Sequence, residues 1–220
     1  MLLALVIVAS ACSGTKATSI DETVRMNQIQ VLGSHNSYHV GMPDDVFELV
    51  HTFSAASADA LDYHHRPLAE QLAKLGARQI ELDVYADPDG GRFADRHIMA
   101  ALGKPIASGI AALDRPGFKV MHTAEIDFTS SCITFVECLR QVRTWSDATP
   151  RHLPVMILVE AKNDPSPDPA NLGFVRPIPI GGPELDALDV EIHSVFTRTQ
   201  LVVPADVGTS GWPTLAAARG

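Results

Sequence analysis

Basic residues are scarce in this chain, and the few present do not cluster. Seventeen Lys and Arg stand against 26 Asp and Glu in 220 residues, a formal net charge of −9. That balance argues against nucleic acid as a partner, and against broad electrostatic adhesion to anionic lipid. Cysteine is scarce too, with three in all. There is no internal repeat and no long apolar run. The most apolar stretch, "MLLALVIVASA" from Met1 to Ala11, is too short at ~1.5 Å rise per residue to span a bilayer.

That stretch reads as the apolar core of an export signal, though without the usual positive flank. "ASAC", Ala9 to Cys12, resembles a bacterial lipoprotein cleavage box, with lipid added to Cys12. Plain secretion after a cut near Ala11 is the alternative. The protein is therefore expected outside the cytoplasm, as a cell-envelope lipoprotein or freely secreted. Residues 12–25 are polar and read as a tether, with the domain proper over 26–220. With Cys12 assigned to lipid, Cys132 and Cys138 remain. In an exported protein such a pair is expected to form a disulfide, with two buried free thiols as the alternative.

Hydrophobic residues make up 46% of the chain, enough for a core in one domain or a piece of a larger one. "MNQIQVLGS" predicts a short buried strand ending at Leu32. Ile80, Leu82 and Val84 alternate with Glu81, Asp83 and Tyr85, a strand pattern. Phe118 to Met121 predicts a third strand, and the apolar run Leu153 to Val159 a fourth, buried on both faces as in parallel sheets. Helices are predicted over "RPLAEQLAKLG" (66–76), over "TFVECLRQVRTW" (134–145), and through Leu185, Leu188, Ile192 and Val195. The first has Pro67 in its first turn and Gly76 at its stop. The second opens on the capping-box pair Thr134 and Glu137. A Pro-rich loop spans Asp164 to Pro183, long enough to suggest function. Alternating strands and helices predict an α/β fold with a parallel sheet. Four strands are half of an eight-stranded TIM-like barrel, which takes ~250 residues. The expectation is the N-terminal half to two-thirds of such a barrel.

Each predicted strand ends in groups that chemistry can use: His35 and Asn36, then Glu81 and Asp83 on one face, then His122, then Glu160. In a parallel barrel these ends meet at the C-terminal mouth, where active sites sit. Three carboxylates and one amide oxygen suit Ca²⁺ or Mg²⁺ better than zinc. Two His beside such a metal suggest acid, base or transition-state donors for attack at phosphorus. Lys162 shares the face of Glu160 and is a candidate phosphate contact. His39, His64 and His65 read as structural or solvated. Asp127 either orients His122 or caps a turn.

"GSHNSY", "IELDVY", "VMH" and "LVEAK" together resemble the catalytic segments of the bacterial, Ca²⁺-dependent branch of the phosphoinositide-specific phospholipase C family. The resemblance runs from about Asn27 to the C-terminus. It implies a TIM-like barrel that cleaves phosphatidylinositol between diacylglycerol and the inositol phosphate, by attack of the inositol 2-hydroxyl on phosphorus. It implies Asn36, Glu81, Asp83 and Glu160 as Ca²⁺ ligands, His35 as the first catalytic His and His122 as the acid for the leaving oxygen. A phosphoinositide at a membrane surface is the implied partner, with no obligate protein partner. His97 falls nearer the spacing of the eukaryotic enzymes, but His122 ends an apolar, strand-like run and is preferred. Two rival readings are a glycerophosphodiester phosphodiesterase, whose first His is typically followed by Arg, and a non-catalytic lipid-binding surface lipoprotein.

Overall fold

A computed structural model describes residues 19–219 apart from 209 and 210. The export-signal stretch and Cys12 lie outside the described residues. In chain order the helices are α1 (Ile20–Thr23), α2 (Asp44–Phe53), α3 (Ala55–Ala60), α4 (Leu68–Ala73), α5 (Phe135–Ala148), α6 (Gly182–Val195), α7 (Pro204–Val207) and α8 (Leu215–Ala218). Three strands, β1 (Gln79–Tyr85), β2 (Lys119–Val120) and β3 (Met156–Ala161), form one sheet in the order β2-β1-β3. No helix among the described residues is long and apolar enough to cross a membrane.

β1 is the centre of the architecture. Ile80, Leu82 and Val84 are fully buried and pack with Leu68 and Leu72 of α4 and Phe135, Leu139, Val142 and Trp145 of α5. Burying each such aliphatic side chain stabilises by ~1.5–3 kcal/mol. The opposite face of β1 is not solvated either. Glu81, Asp83 and Tyr85 are also buried, and Tyr85 joins Phe93, Leu113 and Met121 in a second cluster. Alternation along β1 therefore separates an apolar interior from a polar one, not inside from water.

Three expectations are corrected. The segment before Gly33 forms no regular strand: Met26–Gln28 is a 3₁₀ turn, and Val31 and Leu32 are exposed. It still docks parallel to β1, with Arg78 N–H donating to Leu32 O (2.8 Å) and Ser34 N–H to Gln79 O (3.3 Å). Gly33 suits the close approach, because a Cβ would lie 2.9 Å from Gln79 Cβ, which no side-chain rotation moves away. Second, β2 runs antiparallel to β1, pairing Val84 with Val120 and Tyr85 with Lys119. Residues 86–118 hold only the 3₁₀ turn His97–Leu102, and without a crossover helix the chain returns in the opposite direction. Third, β3 pairs in parallel with β1, as expected, but is not buried on both faces. Met156 and Leu158 are exposed while Ile157 and Val159 pack on the core.

Several smaller differences follow from local packing. α4 ends at Ala73, so Leu75 falls past it and is exposed. Leu185 of α6 is exposed as well. Residues 19–25, read as a tether, are docked: Arg219 clamps Asp21 through Nε (2.6 Å) and Nη2 (2.9 Å), and Leu215 N–H donates to Val24 O. Cys132 and Cys138 are disulfide-bonded, with Cα atoms 5.2 Å apart. The bond ties the first turn of α5 to the segment beside Tyr38, where Ser131 N–H donates to Tyr38 O.

Glu191 of α6 caps the start of β2, its Oε1 accepting from Phe118 N–H at 2.9 Å while Oε2 is buried without a partner. Burial pushes this carboxyl above its ordinary range, against the pull of the Phe118 N–H and Lys119. A raised folded pKa means that the native state holds the proton more tightly than the unfolded chain. Stability is therefore gained as pH falls through that range and lost as pH rises. Glu191→Gln keeps the Oε1 acceptor and removes the buried charge. It is expected to raise the melting temperature at neutral pH and to flatten the rise in stability between about pH 7 and 4.5. Thermal melts of both proteins across that range check this.

Candidate active site

The loop after Gly33 turns sharply because Asn36 adopts a left-handed backbone (φ 46°), which Asn tolerates better than most residues. This separates two neighbours in sequence. The His35 side chain is 73% exposed, with Nε2 3.5 Å from Glu81 Oε1. Asn36 is buried, its Nδ2 donating to Tyr63 Oη (3.0 Å) and its Oδ1 accepting from Tyr38 Oη (3.4 Å). Ser37 pins the loop to β1: Glu81 N–H donates to its Oγ (2.8 Å), and Ser37 N–H donates to Glu81 O (3.0 Å). His65 supports the turn by bonding His35 O at 2.8 Å.

Register places the carboxylates. Asp83 of β1 lies opposite Glu160 of β3, with Glu81 two residues before Asp83 on the same face. One oxygen each from Glu81, Asp83 and Glu160 lies within 4.8 Å of the others. Burial pushes the Asp83 carboxyl up, and Glu160 adds to that, while Lys162 works against it. Burial likewise raises Glu81, against the opposing pull of His35. Lys162 Nζ bridges the group, 3.0 Å from Asp83 Oδ2 and 3.0 Å from Glu160 Oε1. Burial alone would lower its ammonium pKa, but the two carboxylates outweigh that and hold it above an ordinary lysine. Asp83 Oδ2 has the Lys162 ion pair as its partner, and neither buried Asp83 oxygen makes a hydrogen bond of good geometry.

Across a cleft of about 230 Å³ that Glu160 and Lys162 also line stands His122. A tight turn, with Asp127 N–H donating to Thr123 O (2.9 Å), folds Asp127 back onto it. His122 Nδ1 lies 3.0 Å from Asp127 Oδ2, which leaves Nε2 as the unbonded ring nitrogen among the described contacts. Asp127 is fully buried. Burial would raise its carboxyl, but hydrogen bonds from His122 and His39 outweigh that and hold it below the usual range. Tyr85 Oη donates to His122 O (3.1 Å), fixing the backbone. The Pro-rich segment Asp164–Pro167 closes one side of the cleft.

The structure thus brings Glu81, Asp83, Glu160, Lys162 and His35 together, with His122 on the same cleft as Glu160. Asn36 instead spends its amide on two tyrosines. Lys162 is held by carboxylates rather than standing free. His97 is committed elsewhere: its Nδ1 lies 2.9 Å from Glu125 Oε1, and Glu125 also accepts from the backbone of His97 and Val175. His39, read as structural or solvated, is fully buried against Asp127. Its only signal in sequence is a second His four residues after the first. Asp127, left between two roles, orients His122.

A family model for Ca²⁺-dependent phosphoinositide phospholipase C matches residues 24–220. No curated protein matched the chain. Among solved structures, a calcium-dependent phosphoinositol-specific phospholipase C from Pseudomonas sp. superposes with a TM-score of 0.52 at 16% identity, over 92% of this chain and 57% of that one. The myoinositol complex of the calcium-dependent Pseudomonas enzyme gives 0.51 at 16% identity, over 90% and 56%. The chain thus spans a little over half the length of those structures, and the likeness is one of fold. With a match running from the segment before the His35–Asn36 turn to the C-terminus, the chain belongs to the Ca²⁺-dependent phosphoinositide phospholipase C family.

Proposed function

We propose that this protein is an exported phosphodiesterase, built as part of a TIM-like barrel, that cleaves phosphatidylinositol between diacylglycerol and the inositol phosphate with Ca²⁺ bound. The observation that carries this is the meeting of Glu81, Asp83 and Glu160 from adjacent parallel strands, with Glu160 also lining the cleft of the Asp127-bound His122. The donor set fits a hard divalent cation: all oxygen, with buried Asp83 oxygens that no hydrogen bond satisfies. Three carboxylates against Lys162 alone leave excess negative charge, which a divalent cation would balance. Glu81, Asp83 and Glu160 would hold it; Asn36, the further ligand that the family resemblance implies, would join only by giving up its Oδ1 bond from Tyr38.

When bound, Ca²⁺ would offset charge on the phosphate and ease ionisation of the attacking hydroxyl. The protein's own groups do the rest. The inositol 2-hydroxyl oxygen bonds to phosphorus as the bond from phosphorus to the diacylglycerol oxygen breaks. The hydroxyl proton passes to Glu81 or His35, which lie 3.5 Å apart at the mouth. His35 also donates to a phosphoryl oxygen. In its doubly protonated form His122 gives the Nε2 proton to the leaving oxygen, while its Nδ1–H stays on Asp127. Lys162 keeps the carboxylates from repelling one another and lines the side of the cleft where phosphate would sit. Anchoring through Cys12, or plain secretion, would bring the protein to its lipid substrate outside the cytoplasm.

Vesicles containing phosphatidylinositol, supplied with Ca²⁺ or with a chelator, test the reading. Inositol phosphate released only with Ca²⁺ supports it. Glycerol 3-phosphate released from a glycerophosphodiester would favour the rival esterase. Vesicle binding with no product in either assay would favour a lipid-binding surface protein.

A further inference from the structure

Asp127 is shared. Its Oδ2 takes a bond from His122 Nδ1 at 3.0 Å, while both its oxygens lie within reach of His39 Nε2, at 2.9 and 2.7 Å. One carboxylate therefore stands between two imidazoles, one lining the cleft and one sealed from water. His39 is 0% exposed. Its ring lies against Tyr63, centroids 4.3 Å apart, and Tyr63 in turn accepts from Asn36. Its other nitrogen, Nδ1, is buried without a partner. The backbone holds the residue from both sides, with His39 N–H donating to Asn36 O (2.8 Å) and His65 N–H donating to His39 O (2.8 Å).

We propose that His39 is a positioning residue that acts through Asp127 to fix the tautomer and orientation of His122. Asp127 is an acceptor at both oxygens, so each ring must present an N–H to it. For His39, the partnerless Nδ1 assigns that proton to Nε2. For His122, the Asp127 bond keeps a proton on Nδ1, so the neutral ring is the Nδ1–H tautomer and the second proton, taken up at Nε2, is the one that faces the cleft. A carboxylate with a single donor can rotate about its Cβ–Cγ bond and sample other poses. His39 Nε2 bridges both oxygens while His122 bonds Oδ2, and the bridging donor removes that freedom, so Asp127 aims at His122 in one direction. The four-residue spacing of His35 and His39 thereby gives one short loop two tasks: His35 at the mouth and His39 behind the acid. The inference rests on reading His122 as a proton donor, but its first readout does not.

The test compares three variants by ¹⁵N NMR of the His122 ring and by turnover of phosphatidylinositol. His39→Phe preserves ring volume and the contact with Tyr63 but offers no donor. His39→Gln reaches with an amide N–H to the place of Nε2. His39→Asn reaches only to the place of Nδ1, away from Asp127. The wild-type His122 ring, in its neutral form, should show the Nδ1–H tautomer. The Phe and Asn variants should show a tautomer mixture, with kcat down on the order of tenfold and KM little changed, the size of loss that outer partners of ligating His residues carry. The Gln variant should restore both readouts. If Phe at position 39 prevents folding, the Asn and Gln pair makes the same comparison. A folded Phe or Asn variant with the wild-type His122 spectrum overturns the proposal, even if its melting temperature falls. So does a Gln variant no better than Asn. A changed spectrum with unchanged kcat would keep the positioning role and sink the acid role of His122 instead.

Discussion

His122→Ala is expected to lower turnover of phosphatidylinositol by about 10²–10⁴, the contribution of a well-placed general acid. The loss should depend on the leaving group. Diacylglycerol leaves as a poor, alkoxide-like group and needs a proton, which His122 Nε2 is placed to give. An inositol phosphodiester with an aryl leaving group needs none, so the same variant should recover most of its rate on that substrate. His35→Ala should not be rescued, because its loss falls on the phosphoryl oxygens and the attacking side. Both side chains reach the surface, His35 at 73% and His122 at 23%, so neither change should unfold the protein. Steady-state rates on the natural and the aryl substrate decide the matter. If His122→Ala suffers equally on both, the acid lies elsewhere. His97 would be the next residue to replace, though its ring is held by Glu125.

The second large effect concerns Asp83. Ca²⁺ at about a hundred times its dissociation constant should stabilise the protein by ~2.7 kcal/mol. For a chain of this size that corresponds to roughly 5–10 °C in melting temperature. Asp83→Asn should remove most of this response together with activity, because it takes a charge from the centre of the carboxylate group. Without Ca²⁺ the same variant should be as stable as wild type or more so, since burial and Glu160 make the Asp83 charge costly. The pH dependence follows in sign. Asp83 is raised in the fold, so metal-free wild type should gain stability as pH falls from 7 toward the ordinary carboxylate range, and Asp83→Asn should gain less. Melting curves with Ca²⁺ and with chelator, at pH 7 and pH 5, give all four comparisons. A Ca²⁺ response that survives Asp83→Asn intact would remove the cluster as the metal site.

Much of this site was legible in local pattern. Glu81 and Asp83 share a face because side chains on a strand alternate with period two, and Glu160 ends the apolar run that pairs with them. The period-two relation is short in range, so spacing alone reveals it, whereas the pairing of β3 with β1 is a long-range one. What local pattern misjudged was burial. The apolar run before Gly33 looked like a buried strand, yet Val31 and Leu32 are exposed. The run before Glu160 looked buried on both faces, yet Met156 and Leu158 are exposed. Apolar residues specify only a preference for cover, and whether cover exists depends on which other elements arrive. Strand direction failed in the same way, since β2 turns antiparallel through an irregular excursion whose path no periodicity describes.

The sequence by itself pointed to the family, the strand that carries Glu-x-Asp and the candidate carboxylates and histidines, and it made a Cys132–Cys138 disulfide the expectation, with free thiols as the alternative until the structure showed the bond. These rest on residue type and on short motifs. Only the tertiary structure decided which groups serve which. Lys162 becomes the partner of Asp83 and Glu160 because parallel register puts β1 and β3 side by side. Asp127 becomes the partner of His122 because the 123–127 turn folds back, and His39 reaches Asp127 from 88 positions away in the chain. Polar pairs like these are set by where desolvated groups must find partners. That requirement exists only once the surrounding apolar side chains have excluded water.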